Sequence, residues 1–184
     1  MSKEDNPWTT LSVRKVYDNP WIEVWEDRCL DPSGKPAIYG RVGFRNRAVG
    51  IIPIDREGCT WLVGQYRYCI EEYSWEIPMG GCPRPLDLLE AARRELREET
   101  GLRAGRWERI LQVRMSNSVT DEEGHVFIAE ELTAGEPEFE STEKIDIRRL
   151  PLAEAIHMAR TGAIADALSV AGLLQLGALR GLLR

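Results

Sequence analysis

Glu95, Glu98 and Glu99 stand at i, i+3 and i+4, a spacing that places three carboxylates on one arc of a helix. Like charges so close cost roughly a few tenths of a kcal/mol per pair unless something positive lies between them. Arg93, Arg94 and Arg97 can supply that charge on a solvated helix face, since Glu90–Arg94 and Arg94–Glu98 are both i, i+4 pairs. The other chemistry open to the arc is a cation site. Hard divalent cations such as Mg²⁺ take carboxylate oxygens, usually one or two together with a substrate phosphate. Arg67 closes an apolar run, where an arginine is either ion-paired or a bidentate clamp on a diphosphate. Glu76 has three readings: a surface residue, a partner for Arg67, or a contact to a sugar hydroxyl. Met79 offers its backbone carbonyl as a further oxygen.

These groups need elements to hold them. Asp87 is a good N-cap, with Glu90 three residues later to complete a capping box, and Gly101 stands where a left-handed C′ residue is wanted. Leu89, Ala92 and Leu96 form the apolar stripe of the helix between them. Upstream, residues 12–17, 22–28 and 38–44 read as short strands, followed by strands over 48–54 and 60–68. Residues 71–73 read as loop, and 74–81 as extended chain punctuated by Pro78 and two glycines. Downstream, 107–114, 125–131 and 145–150 read as strands. Pro151 is placed at the first position of a helix ending at Gly162, and a last helix runs from about 164 to 179. The pattern predicts a mixed sheet between helices. His125 is expected at the surface. Trp8, Trp21 and Trp25 crowd the first 45 residues, where they serve core packing, a stacking platform for a base, or a subunit interface.

Composition limits what such a chain can be. Its 184 residues suffice for one domain of ordinary size, and 43% hydrophobic with 29% charged residues is globular composition. A net charge of −6 argues against a broad nucleic-acid or membrane footprint. A polyanionic ligand would therefore need a metal or a local arginine cluster. Cys29, Cys59, Cys69 and Cys82 lack metal-ligand spacing, which speaks against zinc and for a reduced, cytoplasmic chain. The most apolar segment, 163–183, is interrupted by Asp166, Gln175, Arg180 and three glycines, too polar to span a bilayer.

The stretch from Gly80 to Leu102, ending Arg94-Glu95-Leu96-Arg97-Glu98-Glu99-Thr100-Gly101-Leu102, resembles the signature of the Nudix hydrolases. That signature reads Gly, five residues, Glu, seven residues, Arg-Glu-apolar-x-Glu-Glu-x-Gly-apolar. One position departs from it: Leu86 stands where the first glutamate belongs. Asn19-Pro20-Trp21-Ile22, Val63-Gly64-Gln65-Tyr66-Arg67, Ser74-Trp75-Glu76-Ile77-Pro78, Ser116-Asn117-Ser118-Val119 and Gly162 to Ala167 are similar to the ADP-ribose and nucleotide-sugar pyrophosphatase branch.

The resemblance implies an α/β (α+β) fold: a Nudix α/β/α sandwich with a mixed β-sheet over 47–184, the motif at 80–102, and a small N-terminal antiparallel β-subdomain over 1–46. It implies hydrolysis of ADP-ribose or a related nucleoside diphosphate sugar to a nucleoside monophosphate and a sugar phosphate. Alternatives are GDP-mannose, a dinucleoside polyphosphate, or a catalytically weakened nucleotide-sensing module. By position in the motif, Glu95 and Glu99 are the main ligands of Mg²⁺ or Mn²⁺, Glu98 ligates or bridges a further ion, and the Met79 carbonyl completes the first site. Arg67 and Glu76 meet substrate, with Trp21 and Trp25 as the nucleoside platform. Glu143 aligns with the downstream base, and Glu122 and Glu140 are alternatives. The subdomain is expected to mediate a homodimer, with no nucleic-acid or membrane partner. The missing glutamate at 86 leaves Arg94 without its usual partner, and Glu90 or Asp87 is expected to replace it.

Overall fold

The computed structural model describes residues 6–138 and 144–183. The chain forms two compact units, Met1–Asn46 with Arg114–Glu122, and Arg47–Val113 with Glu123–Arg184.

The first unit is an antiparallel three-stranded sheet of β1 (Thr9–Asp18), β2 (Ile22–Leu30) and β3 (Pro36–Phe44) in sequence order. The Asn19 side chain accepts from the N–H groups of Trp21 and Ile22 at 2.8 Å, an Asx turn that reverses the chain between β1 and β2. The 114–122 segment joins this unit through Val42 N–H to the Val119 carbonyl, 2.8 Å, and the Tyr39 hydroxyl to the Ser118 carbonyl.

The second unit has two sheets. β4 (Asn46–Pro53), β7 (Met79–Pro83), β8 (Arg103–Arg114) and β9 (Glu123–Thr133) form one, in the order β7-β4-β9-β8, with β4 and β9 parallel. β5 (Cys59–Arg67), β6 (Glu72–Glu76) and β10 (Asp146–Pro151) form the other, in the order β10-β5-β6 with both pairings antiparallel. Helices α1 (Leu88–Thr100), α2 (Leu152–Thr161) and α3 (Ala167–Leu179) complete it.

Strand alternation explains the layering. Val49, Ile51, Phe127 and Ala129 point to one face of the larger sheet and pack with Ala91, Ala92 and Leu96 of α1. Ile52 and Val126 point to the other, where they meet Gly172 of α3 so closely that a Cβ there would lie 3.0 Å from Val126. Strands covered on both faces read as unbroken apolar runs, which is the pattern of residues 49–54. This is the expected α/β/α sandwich.

Several local expectations are corrected. Residues 72 and 73 are strand, because Arg67 and Tyr66 pair with Glu72 and Tyr73 across a hairpin. The hairpin turns through Glu71, at φ 55°. Pro151 is the N-cap rather than the first helical residue, its extended backbone still paired with Cys59 at the end of β10. The final helix starts at Ala167, where the Asp166 carboxylate accepts from the Ser169 N–H at 2.8 Å. His125 is buried, not at the surface. Its Nε2 lies 2.6 Å from Glu123, and desolvation pushes its pKa down against the opposing pull of that carboxylate.

The Ser169 hydroxyl, fully buried on α3, accepts from the Ile77 N–H at 3.0 Å and so ties the helix to the chain entering β7. Ser169→Ala is expected to leave that N–H buried and unpaired, at a cost of about 1–3 kcal/mol. Urea denaturation of the two proteins would measure it, and equal midpoints and slopes would refute the assignment.

Candidate functional site

Both ends of α1 are fixed by local chemistry. The Asp87 carboxylate accepts from the N–H groups of Leu89 and Glu90, and Gly101, at φ 72°, turns its N–H back to the Arg97 carbonyl. Glu90 pairs with Arg93 and so does not close the capping box reciprocally. With Ala91, Ala92 and Leu96 against the sheet, the carboxylate arc is held at the edge of the core. Glu99 is only 2% exposed, and its Oε2 accepts from the Met79 N–H at 2.8 Å. Met79 thus meets the arc through its N–H. Gly80 explains itself here: a Cβ would lie 2.2 Å from the Glu95 carboxyl carbon. The glycine is a berth for that carboxylate.

Arg94 is the counter-charge. One Nη donates to the Gly81 carbonyl at 2.9 Å and to Glu95, while Nε stands 3.5 Å from Glu98. The hydrogen bond to Glu95 is the main reason the guanidinium holds its proton even more firmly than usual. Arg97 approaches the other Glu98 oxygen at 3.6 Å and Glu138 at 3.4 Å. Glu138 also docks by backbone, its N–H donating to the Glu98 carbonyl at 2.9 Å.

The partner expected for Arg94 is therefore wrong. Glu90 goes to Arg93, Asp87 caps the helix, and Arg94 turns inward to Glu95, Glu98 and the Gly81 carbonyl. The loop that lacks the glutamate at 86 is braced through backbone instead. The Leu86 side chain is 54% exposed, and its carbonyl accepts from an Arg47 Nη and from the buried Cys82 thiol.

Arg67 and Glu76 realise the ion-pair reading of both residues. Arg67 Nε donates to Glu76 at 2.9 Å and Nη2 to the second oxygen, a two-point pair between the ends of β5 and β6. Glu76 is 3% exposed, while Arg67 keeps part of its guanidinium in solvent. The hydrogen bond to Glu76 chiefly raises the Arg67 pKa, and the charges of Asp166 and Glu99 add to it. Of the helix carboxylates, Glu99 is thus near enough to Arg67 to act on its charge. Arg67, Glu76 and Asp166 border a cleft of about 480 Å³. A larger cavity of about 650 Å³, beside Asp55, Glu130 and Arg106, contains none of these residues and is lined by ion pairs closed on one another. Asp166 was not foreseen as a neighbour of Arg67. Its visible signal is that of a helix cap, and its second neighbour is 99 positions away in sequence.

The remaining predicted residues are placed separately. In the first unit, Trp21 is 69% exposed, and the Trp25 ring is approached by Lys15 Nζ at 4.9 Å and by the Arg41 guanidinium at 5.0 Å. Glu122 lies in that unit's 114–122 segment. Glu143 and Glu140 lie outside the described residues.

The donor set suits a hard divalent ion, since Glu95, Glu98 and Glu99 offer only carboxylate oxygens and Gly80 keeps room for one of them. Among the described residues, no three acidic, histidine or cysteine side chains are gathered as a finished metal cluster. Arg94 provides the positive charge between Glu95 and Glu98. Gly80→Ala is expected to force the Glu95 carboxyl away and weaken Mn²⁺ binding by about 10- to 100-fold, with helix content unchanged. Calorimetric titration beside circular dichroism would test this, and unaltered affinity would dismiss the berth.

Comparison with known proteins bears on this geometry. The NUDIX domain family matches residues 44–171, and the nucleoside diphosphate sugar hydrolase N-terminal domain matches residues 8–42. An ADP-ribose pyrophosphatase of Mycobacterium tuberculosis is 33% identical over 177 residues, covering 92% of this chain and 83% of its own length. An ADP-ribose pyrophosphatase of Bacillus subtilis is 28% identical over 160 residues, 86% of each chain. The crystal structure of an ADP compounds hydrolase superposes with a TM-score of 0.85 at 25% identity, over 98% of both chains.

Proposed function

Because this chain belongs to the Nudix family, we propose that it is a metal-dependent pyrophosphatase of ADP-ribose or a closely related nucleoside diphosphate sugar. What carries the reading is the coincidence of two things: likeness to ADP-ribose pyrophosphatases along nearly the whole chain, and a carboxylate arc whose Glu99 acts on the charge of a half-exposed arginine. Water attacks one phosphorus of the diphosphate, the P–O bond to the bridging oxygen breaks, and a nucleoside monophosphate and a sugar phosphate leave. Activation of the water and neutralisation of the non-bridging oxygens are what a bound Mg²⁺ or Mn²⁺ supplies.

The chain's own residues do the rest. Glu95 and Glu99, with the Met79 carbonyl, would hold the ion, and Glu98 would serve a further one. Glu99 is already aimed by its bond to the Met79 N–H. Arg67, steadied by Glu76, lends its exposed edge to the phosphates, and Glu76 touches substrate only through it. Glu143 takes the proton from the attacking water. Trp21 and Trp25 are assigned to the nucleoside.

The protein acts as a cytoplasmic homodimer joined through its N-terminal subdomain. Support comes from the exposed apolar side chains Leu11, Val13, Val16, Tyr17 and Ile38 on that sheet, a surface suited to a second copy. Among the described residues no helix is long and apolar enough to cross a membrane.

A panel of nucleoside diphosphate sugars with Mg²⁺ tests the activity. ADP-ribose is expected to turn over fastest, and Glu99→Gln to lower kcat by at least about 100-fold while leaving the fold intact. Equal rates for the two proteins would remove the carboxylate arc from the chemistry. No turnover of any substrate by the wild type would point to a sensing module instead.

A further inference from the structure

We propose that the groove between α1 and the start of β8 is a second anion site, which takes a ligand carrying two or more phosphates and is separate from the diphosphate site assigned to Arg67. Four guanidinium groups, of Arg93, Arg94, Arg97 and Arg103, line it together with the Trp107 ring, around a volume of about 320 Å³. Glu90 is the single carboxylate among the lining residues. That is an unusual concentration of positive charge on a chain whose net charge is −6. In other parts of the chain Arg149 is held by Asp55 and Glu57, and Arg148 by Glu154.

The groove has more donors than acceptors. The Arg103 side chain is exposed and makes no hydrogen bond or ion pair with the described residues. Arg94 Nε and Arg97 Nε are closed off from water without a hydrogen-bond acceptor. Their nearest carboxylate oxygens, on Glu98 and Glu138, stand at 3.5 Å and 3.4 Å, within ion-pair range but long for a hydrogen bond. Arg93 has one partner, the exposed Glu90. Such surface pairs contribute little and yield readily to a stronger acceptor.

The Trp107 side of the groove is held in place. Trp107 Nε1 donates to the Ala104 carbonyl at 3.1 Å, and the ring packs edge-on against Phe127 with centroids 6.4 Å apart. A fixed aromatic wall beside planar, forked cations suits a compact, multiply charged anion. Guanidinium groups bind phosphate oxygens two at a time, so a ligand with two phosphates can offer an oxygen pair to each of Arg93 and Arg103. The volume lies at the lower end of ligand pockets, large enough for a di- or triphosphate group. The acidic surface as a whole excludes a long nucleic acid as the occupant. No residue of this groove borders the cleft of Arg67 and Glu76, so the two sites can be separated by mutation.

Inorganic pyrophosphate is the probe, titrated calorimetrically into the full-length protein in EDTA, so that no metal can recruit it to the carboxylate arc. The wild type is expected to saturate at one site per chain, with affinity falling as NaCl is raised. Arg93→Gln with Arg103→Gln is expected to weaken binding at least tenfold. Both residues are exposed, and circular dichroism verifies the fold. Arg67→Gln with Glu76→Gln, which keeps the buried pair neutral and hydrogen-bonded, is expected to bind as the wild type does. The proposal is overturned by any of three results: no saturable binding to the wild type, undiminished binding to the Arg93/Arg103 variant, or a loss that follows the Arg67/Glu76 variant instead.

Discussion

Glu99 is an ionisable side chain removed from water, and such a group must be met by fixed donors or it forfeits its charge. The Met79 N–H is one of those donors, and it is a backbone group. The position of the carboxylate is therefore coupled to where β7 begins. β7 lies beside β4 in the larger sheet, and Ile51 N–H reaches the Pro78 carbonyl at 2.8 Å, just ahead of Met79. The same few residues carry Gly80, whose missing side chain accommodates Glu95. Two carboxylates of the arc are thus set by one short stretch of main chain, which the sheet and the Ser169 hydroxyl hold in turn.

The arc is also a problem of charge, and arginines solve it in layers. Arg94 stands between Glu95 and Glu98, and Arg97 between Glu98 and Glu138. Arg67 belongs to a different strand, with its own buried partner, yet responds to Glu99. Arg94 and Arg97 bring positive charge close to these carboxylates, and a dication entering the arc would substitute for guanidinium charge that the helix already carries.

What could be read from the amino-acid sequence follows how local the causes are. The helix at 88–100 was legible to the residue, because its N-cap, its apolar stripe and its C-terminal glycine all lie within it. The layering was legible because residues 49–54 are apolar without interruption, which only a strand covered on both faces explains. Membership of the Nudix family followed from the motif. Features created by distant partners were not legible. Glu72 and Tyr73 have an exposed, loop-like composition and become strand through pairing with β5. His125 looks like a polar residue at a strand end, and its burial depends on its neighbours in the sheet. The loop brace at Leu86 is invisible to a search for side-chain substitutes, since Arg47 binds a backbone carbonyl there. Arg67 and Glu76 were named with the right alternatives, and only coordinates could choose the ion pair.

The parallel pairing of β4 with β9 has a consequence for how the molecule comes to exist. These strands are joined over registers such as Ile51 with Phe127, so the wall against which α1 packs is half made of chain that follows the helix in sequence. During synthesis α1 emerges with its caps in place but with only β4 and β7 to lie on. Contacts this distant along the chain are slow to form and leave apolar surface uncovered until they do. Helix α1 is thus the first of the three helices to be made, and it completes its packing only after β9 has followed it. Its acidic outer arc, kept solvated by its own arginines, gives it a means of waiting in water.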